Sequence, residues 1–281
     1  MTRWQDEVEE GKRFQFGQNW KRFLEDFDQE RLAQSRLALQ RSLRRESLEG
    51  LSFLDIGSGS GIHSLAARSL GARVHSFDYD GDSVACTRQL KESVRMGDEG
   101  WTIERGSALD ESYVRSLGKF DIVYSWGVLH HTGDLWEALR IADLPVRRGG
   151  SLFLALYNDQ GGLSRMWTAI KRVYVESSPP VRMALTLGTG LGLTLRQVPG
   201  RVARGMNPIP IEAWRAKRED RGMSQWTDLV DWVGGYPFEV ARPEEVFEFY
   251  RERGYELEFL KTCGGGRGCN EYVLRKDGGS E

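Results

Sequence analysis

The sequence predicts an α/β fold: a doubly wound sheet, mostly parallel with a C-terminal antiparallel hairpin, plus a helical cap insertion. Three observations lead there. Short apolar runs alternate with helical patterns between residues 51 and 157, the signature of parallel strands joined by right-handed crossovers. A tryptophan-bearing stretch of helical pieces then breaks the alternation from Asn158 to Val240. Two strand-like runs, Glu256 to Lys261 and Glu271 to Arg275, flank the glycine-rich turn Gly264 to Gly268 near the end of the chain, which reads as a hairpin.

Phe16, Trp20, Phe23 and Phe27 fall at i, i+4, i+7 and i+11, an apolar helical stripe, and a second helical stretch follows from about Glu30 to Arg44. Residues 1–48 are therefore expected to form a helical lid. Residues 49–157 are the expected core. Its strands are Leu51 to Ile56, Arg73 to Phe77, Trp101 to Glu104, Phe120 to Ser125 and Ser151 to Tyr157, and its helices are Gly61 to Leu70, Asp82 to Met96 and Leu135 to Ala142. Residues 158–240 are read as a helical cap over the substrate. Trp167, Tyr174, Trp214, Trp226, Trp232, Tyr236 and Phe238 supply an aromatic wall there, and Arg165, Lys171, Arg172, Arg215 and Arg218 supply cations. Residues 241–281 complete the core sheet, opening on a helix at Arg242-Pro243-Glu244-Glu245, where proline suits the first turn.

Composition narrows the function. With 40% hydrophobic residues over 281 positions, the chain supports one large domain or one domain with an insertion. Lys plus Arg number 39 against 41 Asp plus Glu, so no nucleic-acid partner is expected. Cys86, Cys263 and Cys269 form no repeated spacing and sit in no histidine cluster; neither a disulfide framework nor a metal site is expected, and a reducing cytoplasm fits. Met1 to Arg13 is highly charged and lacks the apolar stretch of a secretory signal. The longest apolar run, Met183 to Leu195, is flanked by Arg182 and Arg196 and falls short of the roughly 20 residues that cross a bilayer. It reads either as a core helix with packed glycines or as a peripheral contact, through 183–195, with a greasy substrate or a membrane surface.

The strongest motif is Phe53-Leu54-Asp55-Ile56-Gly57-Ser58-Gly59-Ser60-Gly61-Ile62, an apolar strand that ends in close glycines leading into a helix. Glycine allows the tight turn and a close approach of backbone to ligand, in the strand–turn–helix context of a nucleotide site. The spacing is G-x-G-x-G and not the G-x-G-x-x-G that seats a pyrophosphate, which points to a nucleoside without a diphosphate and counts against a nicotinamide cofactor. S-adenosyl-L-methionine fits.

The second strand ends at Asp78, 17 residues past Gly61, where a carboxylate accepts hydrogen bonds from ribose hydroxyls. Tyr79 beside it is counted with the site, and Asp80 is the reserve. Ser107 and Ala108, at the end of the third strand, are placed against the adenine. Asp110 is either a ligand or an ordinary helix cap.

These residues resemble the class I S-adenosylmethionine-dependent methyltransferases, within them the ubiquinone and menaquinone methylase-like small-molecule group. Asp55 to Gly61 resembles that family's first motif and Asp78 its ribose-binding acid. Phe120-Asp121-Ile122-Val123-Tyr124-Ser125-Trp126-Gly127-Val128-Leu129-His130-His131 resembles its fourth strand and the segment after it, and Leu144 to Leu156 its approach to the fifth strand. The resemblance covers about residues 50 to 157 and, weakly, 241 to 275. It implies a Rossmann-like core that binds the cofactor through Asp55, Gly57, Ser58, Gly59, Gly61, Asp78, Tyr79, Ser107, Ala108, Ser125 and Trp126, and methyl transfer to a small-molecule acceptor.

An oxygen acceptor calls for a general base, and histidine suits it. His130 and His131, just past the fourth strand, are the candidate catalytic residues; the competing reading is a helix start where imidazoles cap backbone groups. His63 and His75 read as packing or solvent-facing residues. Trp126 either packs on adenine or belongs to the core. Arg267 either meets an anionic acceptor or faces solvent. The expected reaction is methylation of a small molecule, apolar or anionic, at oxygen. N- or S-methylation, methylation of tRNA or protein, and a non-catalytic cofactor-binding protein stand as alternatives.

Overall fold

In the computed structural model, residues 4–10, 12–17, 20, 27–94, 99–207, 225–264 and 268–279 are described. Phe23, Trp214, Arg215, Arg218 and Arg267 lie outside them. The strands are β1 (Ser52–Ile56), β2 (Arg73–Asp78), β3 (Trp101–Arg105), β4 (Phe120–Trp126), β5 (Val146–Tyr157), β6 (Tyr255–Lys261) and β7 (Cys269–Lys276). They form one seven-stranded sheet in the order β3-β2-β1-β4-β5-β7-β6. β1 to β5 run parallel, and β7 inserts antiparallel between β5 and β6. The doubly wound sheet and its antiparallel hairpin are as the sequence predicts.

The helices of the first half are α1 (Trp4–Glu9), α2 (Gln29–Leu43), α3 (Ile62–Ser69), α4 (Gly81–Ser93), α5 (Glu111–Ser116) and α6 (Leu135–Asp143). Those of the second half are α7 (Gly162–Glu176), α8 (Pro179–Val202), α9 (Gln225–Gly234) and α10 (Pro243–Arg251). Alternate residues of the strands serve opposite faces. Leu54, Ile56, Val123, Leu152 and Leu154 pack with α5, α6 and α10. Phe53, Val74, Ile122, Tyr124 and Phe153 pack with α2, α3 and α4. Each fully buried leucine or isoleucine in these layers contributes about 1.5–3 kcal/mol.

β5 begins five residues earlier than the sequence pattern suggests. Val146 already pairs with Phe120, and the register shifts between Phe120 and Ile122. Gly149 adopts φ 67° in this stretch, so Arg147-Arg148-Gly149-Gly150 is an irregular strand and not a loop. The apolar run 183–195 also departs from the core-helix reading. It lies within a continuous 24-residue helix, α8, in which Thr186 is the buried residue.

The site follows from the strand order. β1 pairs with β2 on one side and with β4 on the other, so chain connections leave in opposite directions there and open a crevice at the carboxyl ends of the strands.

Candidate active site

A cavity of 1860 Å³ occupies that crevice, larger than the roughly 300–1,000 Å³ typical of a single small-ligand site. Gly57, Ser58 and Gly59 after β1, Asp78 and Tyr79 after β2, Ser107 and Ala108 after β3, and Trp126 at the end of β4 all line it.

The glycine loop is built by backbone donors. Gly57 and Ser58 both donate their N–H to the Phe77 carbonyl, at 2.8 and 3.1 Å, so the loop folds over the end of β2. Gly57 has φ 80°, and a Cβ there would lie 2.3 Å from Val128 Cγ1. Gly57→Ala is accordingly expected to cost about 1–3 kcal/mol of stability or more, measured as a lower urea midpoint. An unchanged midpoint would show that the loop can relax. At Gly59 a Cβ would stand 3.0 Å from the Trp20 indole, which brings the N-terminal segment onto the loop.

Asp78 is held from two sides. The Gly59 N–H donates to Oδ2 and the Asp80 N–H to Oδ1, both at 2.9 Å. Burial pushes its pKa up to about 6, against these backbone donors, which favour the ionised form. Asp80 is committed elsewhere: it caps α4 through Asp82 N–H and accepts the Gly17 N–H at 2.8 Å. Asp110 is a helix cap, accepting from Tyr113 N–H and Ser112 Oγ.

Asp55, Gly61 and Ser125, three of the sequence candidates, stand behind the cavity wall. Asp55 is buried and accepts from Ser64 Oγ. A Cβ on Gly61 would meet Thr87 and not the cavity. Ser125 Oγ donates to the Ile56 carbonyl at 3.0 Å. These three residues tie the loop to its neighbours.

Burial raises the Asp55 pKa to about 7, with the nearby Asp78 adding to the rise and the Ser64 hydroxyl opposing it. A raised value means its contribution is fully present below the unfolded-chain value near 4 and is lost as pH rises through about 7. Asp55→Asn removes that loss. Its urea midpoint relative to wild type is expected to climb from pH 5 to pH 8, and a constant difference would contradict the burial of an ionised Asp55.

The histidine pair divides sharply. His131 lines the cavity, and its Nδ1–H donates to the Pro237 carbonyl at 2.6 Å, leaving Nε2 as the lone-pair nitrogen. Burial lowers its pKa to about 3, and the charges of Lys171 and Arg13 lower it further, against the Pro237 hydrogen bond. His130 is fully buried. Its Nδ1 accepts the Tyr157 N–H at 3.3 Å, so Nε2 carries the proton, and that atom has no hydrogen-bond partner among the described residues. Burial holds His130 neutral too. The turn is clamped from outside, since Arg13 donates to the His131 and Thr132 carbonyls at 2.7 and 3.1 Å. Glu239 accepts the Gly133 and Leu135 N–H groups, both at 3.0 Å.

Sequence reasoning gave His63 and Tyr157 no place in the cavity wall, while it put Phe16 in the lid stripe and Trp232 in the aromatic wall of the cap. His63 lines the cavity beside Trp126, and burial pulls its pKa down to about 4. Tyr157, Trp232 and Phe16 also line it, Phe16 with its ring 4.9 Å from that of His131. Lys171, read from the sequence as a cap cation, is wholly buried. Its ammonium donates to the Trp232 carbonyl and lies 4.8 and 4.7 Å from the Trp232 and Phe238 rings. Only the position of Trp232 and Phe238 within an aromatic cap hinted at that arrangement.

Residues 54–154 match the family described as a methyltransferase domain. The ubiquinone biosynthesis O-methyltransferase of Methylobacterium sp. strain 4-46 is 32% identical over 142 residues, covering 49% of this chain and 55% of that protein. The Caulobacter vibrioides protein of the same name is 29% identical over 116 residues, covering 41% and 44%. The chain thus spans about half the length of the curated relatives it matches. The solved magnesium protoporphyrin IX methyltransferase from Synechocystis PCC 6803, with bound SAH, superposes with a TM-score of 0.55 at 14% identity, over 92% of this chain and 94% of that one, which is a likeness of fold. Sequence match, strand order and glycine loop agree: residues 54–154 form a methyltransferase domain of the class I, S-adenosylmethionine-dependent type.

Proposed function

We propose that the protein transfers a methyl group from S-adenosyl-L-methionine to a small-molecule acceptor, at an oxygen atom. One observation carries the reading: a single cavity is walled by the backbone-held Asp78 carboxylate and by the His131 imidazole whose Nδ1 is already committed. The residues fit the cofactor. Asp78 keeps acceptor capacity beyond its two backbone donors, enough for a pair of ribose hydroxyls. A Cβ at Gly57 would run into Val128, and one at Gly59 into Trp20, so neither position of the loop has room for a side chain. Ser107 and Ala108 border the adenine end, and Trp126 and Tyr79 wall the nucleoside.

When bound, S-adenosyl-L-methionine supplies a sulfonium methyl group that is already electrophilic. The chain's part is to align the acceptor, exclude water and take up a proton. His131 takes the proton at Nε2, because the Pro237 carbonyl fixes its tautomer and the buried surroundings keep it unprotonated. Phe16 and Trp20, within residues 1–48, cover the cavity as a lid, and residues 158–240 cap the acceptor end with Trp232, Leu187 and Leu191. The lining favours an acceptor with an apolar part. The O-methyltransferase names of the relatives support oxygen as the methylated atom, and the overall charge of -2 supports a small molecule over nucleic acid. A cytoplasmic setting accords with the cysteine usage.

A screen of S-adenosylhomocysteine release with phenols, amines, thiols and bulk tRNA tests the reading. Turnover with phenols bearing an alkyl tail is expected. Turnover with tRNA alone, or with no acceptor of any kind despite cofactor binding, would overturn it.

A further inference from the structure

Helix α8 stands apart from the others in what it exposes. Val181, Met183, Leu187, Leu191 and Leu195 are between 44% and 61% exposed. Met183, Leu187, Leu191 and Leu195 recur every fourth residue, so they make one stripe along the helix. A contiguous exposed apolar stripe of this kind marks a contact surface.

The charge pattern says what the surface meets. From Ser177 to Ile211 the sequence holds four arginines (Arg182, Arg196, Arg201 and Arg204) and no acidic residue, in a chain whose net charge is -2. Arg182 is used internally, donating to the carbonyls of Tyr174, Val175 and Ser177. Arg201 Nε reaches the Asn207 carbonyl. Arg196 and Arg204 are exposed at the C-terminal end of the helix. Apolar residues with arginines beside them and no acid suit an anionic lipid surface, where the side chains enter the acyl boundary and the cations meet headgroups. A second copy of this face is a poor partner, since it would bring arginines towards arginines with no carboxylate on either helix. Among the described residues no helix is long and apolar enough to cross a membrane, so the contact lies along the surface.

The stripe is continuous with the cavity. Leu187, Leu191 and Leu195 belong to its lining, as does Leu37 of α2, itself 49% exposed. We propose that α8 is an interfacial helix that docks the protein on an anionic lipid surface, with the apolar mouth of the cavity opening towards the lipid. The docking stands independently of the methyl-transfer reading; only the use of the mouth by an acceptor rests on it.

Co-sedimentation of the full chain with phosphatidylcholine vesicles, and with vesicles of equal parts phosphatidylcholine and phosphatidylglycerol, tests this without cofactor or turnover. Binding to the anionic vesicles is expected, weakened about tenfold or more by Arg196→Glu with Arg204→Glu, or by Val181→Asp with Met183→Asp. Circular dichroism and S-adenosylhomocysteine binding report that these variants remain folded. Equal binding to both vesicles, or binding to neither, overturns the proposal. So does a light-scattering dimer that Met183→Asp dissolves, which would assign the stripe to a second copy. Vesicle binding without any methyl transfer would leave the docking standing and remove the proposed reaction.

Discussion

Asp78→Ala is expected to weaken S-adenosylhomocysteine binding about 100-fold or more, the loss of two charge-assisted hydrogen bonds at about 1.5–3 kcal/mol each. Asp78→Asn keeps one acceptor oxygen and should fall between the two, at about a tenfold loss. The pair separates ligand contact from loop support, because the amide can still accept the Gly59 N–H that Asp78 Oδ2 receives at 2.9 Å. The pH dependence has a definite sign. With the pKa raised to about 6 by burial, the accepting carboxylate is present above that value, so affinity should weaken as pH falls through about 6. Titration calorimetry of the three proteins between pH 5 and pH 8 checks both points. Equal affinities for wild type and Asp78→Ala would remove Asp78 from the ligand site.

The second large effect is on rate. His131→Asn keeps a side-chain N–H able to reach the Pro237 carbonyl but has no basic nitrogen, so turnover with an oxygen acceptor should fall about 10²–10⁴-fold. Binding of S-adenosylhomocysteine should stay within about twofold, since only proton uptake is lost. His131 is held unprotonated down to about pH 3. The rate per bound cofactor should therefore show no acid limb from this group between pH 5 and pH 8, while any limb near 6 tracks cofactor affinity through Asp78. His130→Gln should instead lower stability, since that ring is fully buried against Tyr157, at 4.0 Å between centroids. Rate loss at His130 with none at His131 would reverse these assignments.

The parts of the fold that were legible in the sequence are those encoded locally. Phe53 to Ile62 writes its strand, turn and helix in consecutive residues, and Asp78 sits at the end of the next strand-like run, so both could be placed without tertiary information. The histidines could not. They are neighbours in one 3-10 turn, Leu129–His131, and which of them faces the cavity depends on Pro237, 106 residues away, and on Tyr157, 27 residues away. Asp80 and Asp78 look alike in sequence and both line the cavity, but the oxygens of Asp80 are taken by Gly17 and by the start of α4. Asp55 and Ser125 carry motif-like positions yet point to Ser64 and to the Ile56 carbonyl. The run 183–195 was visible as apolar, but burial is a property of neighbours, and the neighbours of α8 leave its leucines exposed.

The N-terminal segment is placed by similar long-range contacts. The Phe14 N–H donates to the Tyr236 carbonyl at 2.8 Å, and Arg13 pairs with Glu7 at 2.6 Å while reaching the histidine turn. The N-terminal segment therefore touches Tyr236, the histidine turn and, through the Gly17 N–H, Asp80, and none of these three partners is near it in sequence.

The most direct test of the whole account is a titration of the wild-type protein with S-adenosylhomocysteine and, separately, with NAD. Saturable binding of S-adenosylhomocysteine at micromolar or lower concentration, with no heat from NAD, is the result the glycine loop and Asp78 predict. Saturable NAD binding, or the absence of binding by either adenosine ligand, would contradict it and leave the cavity to another class of ligand.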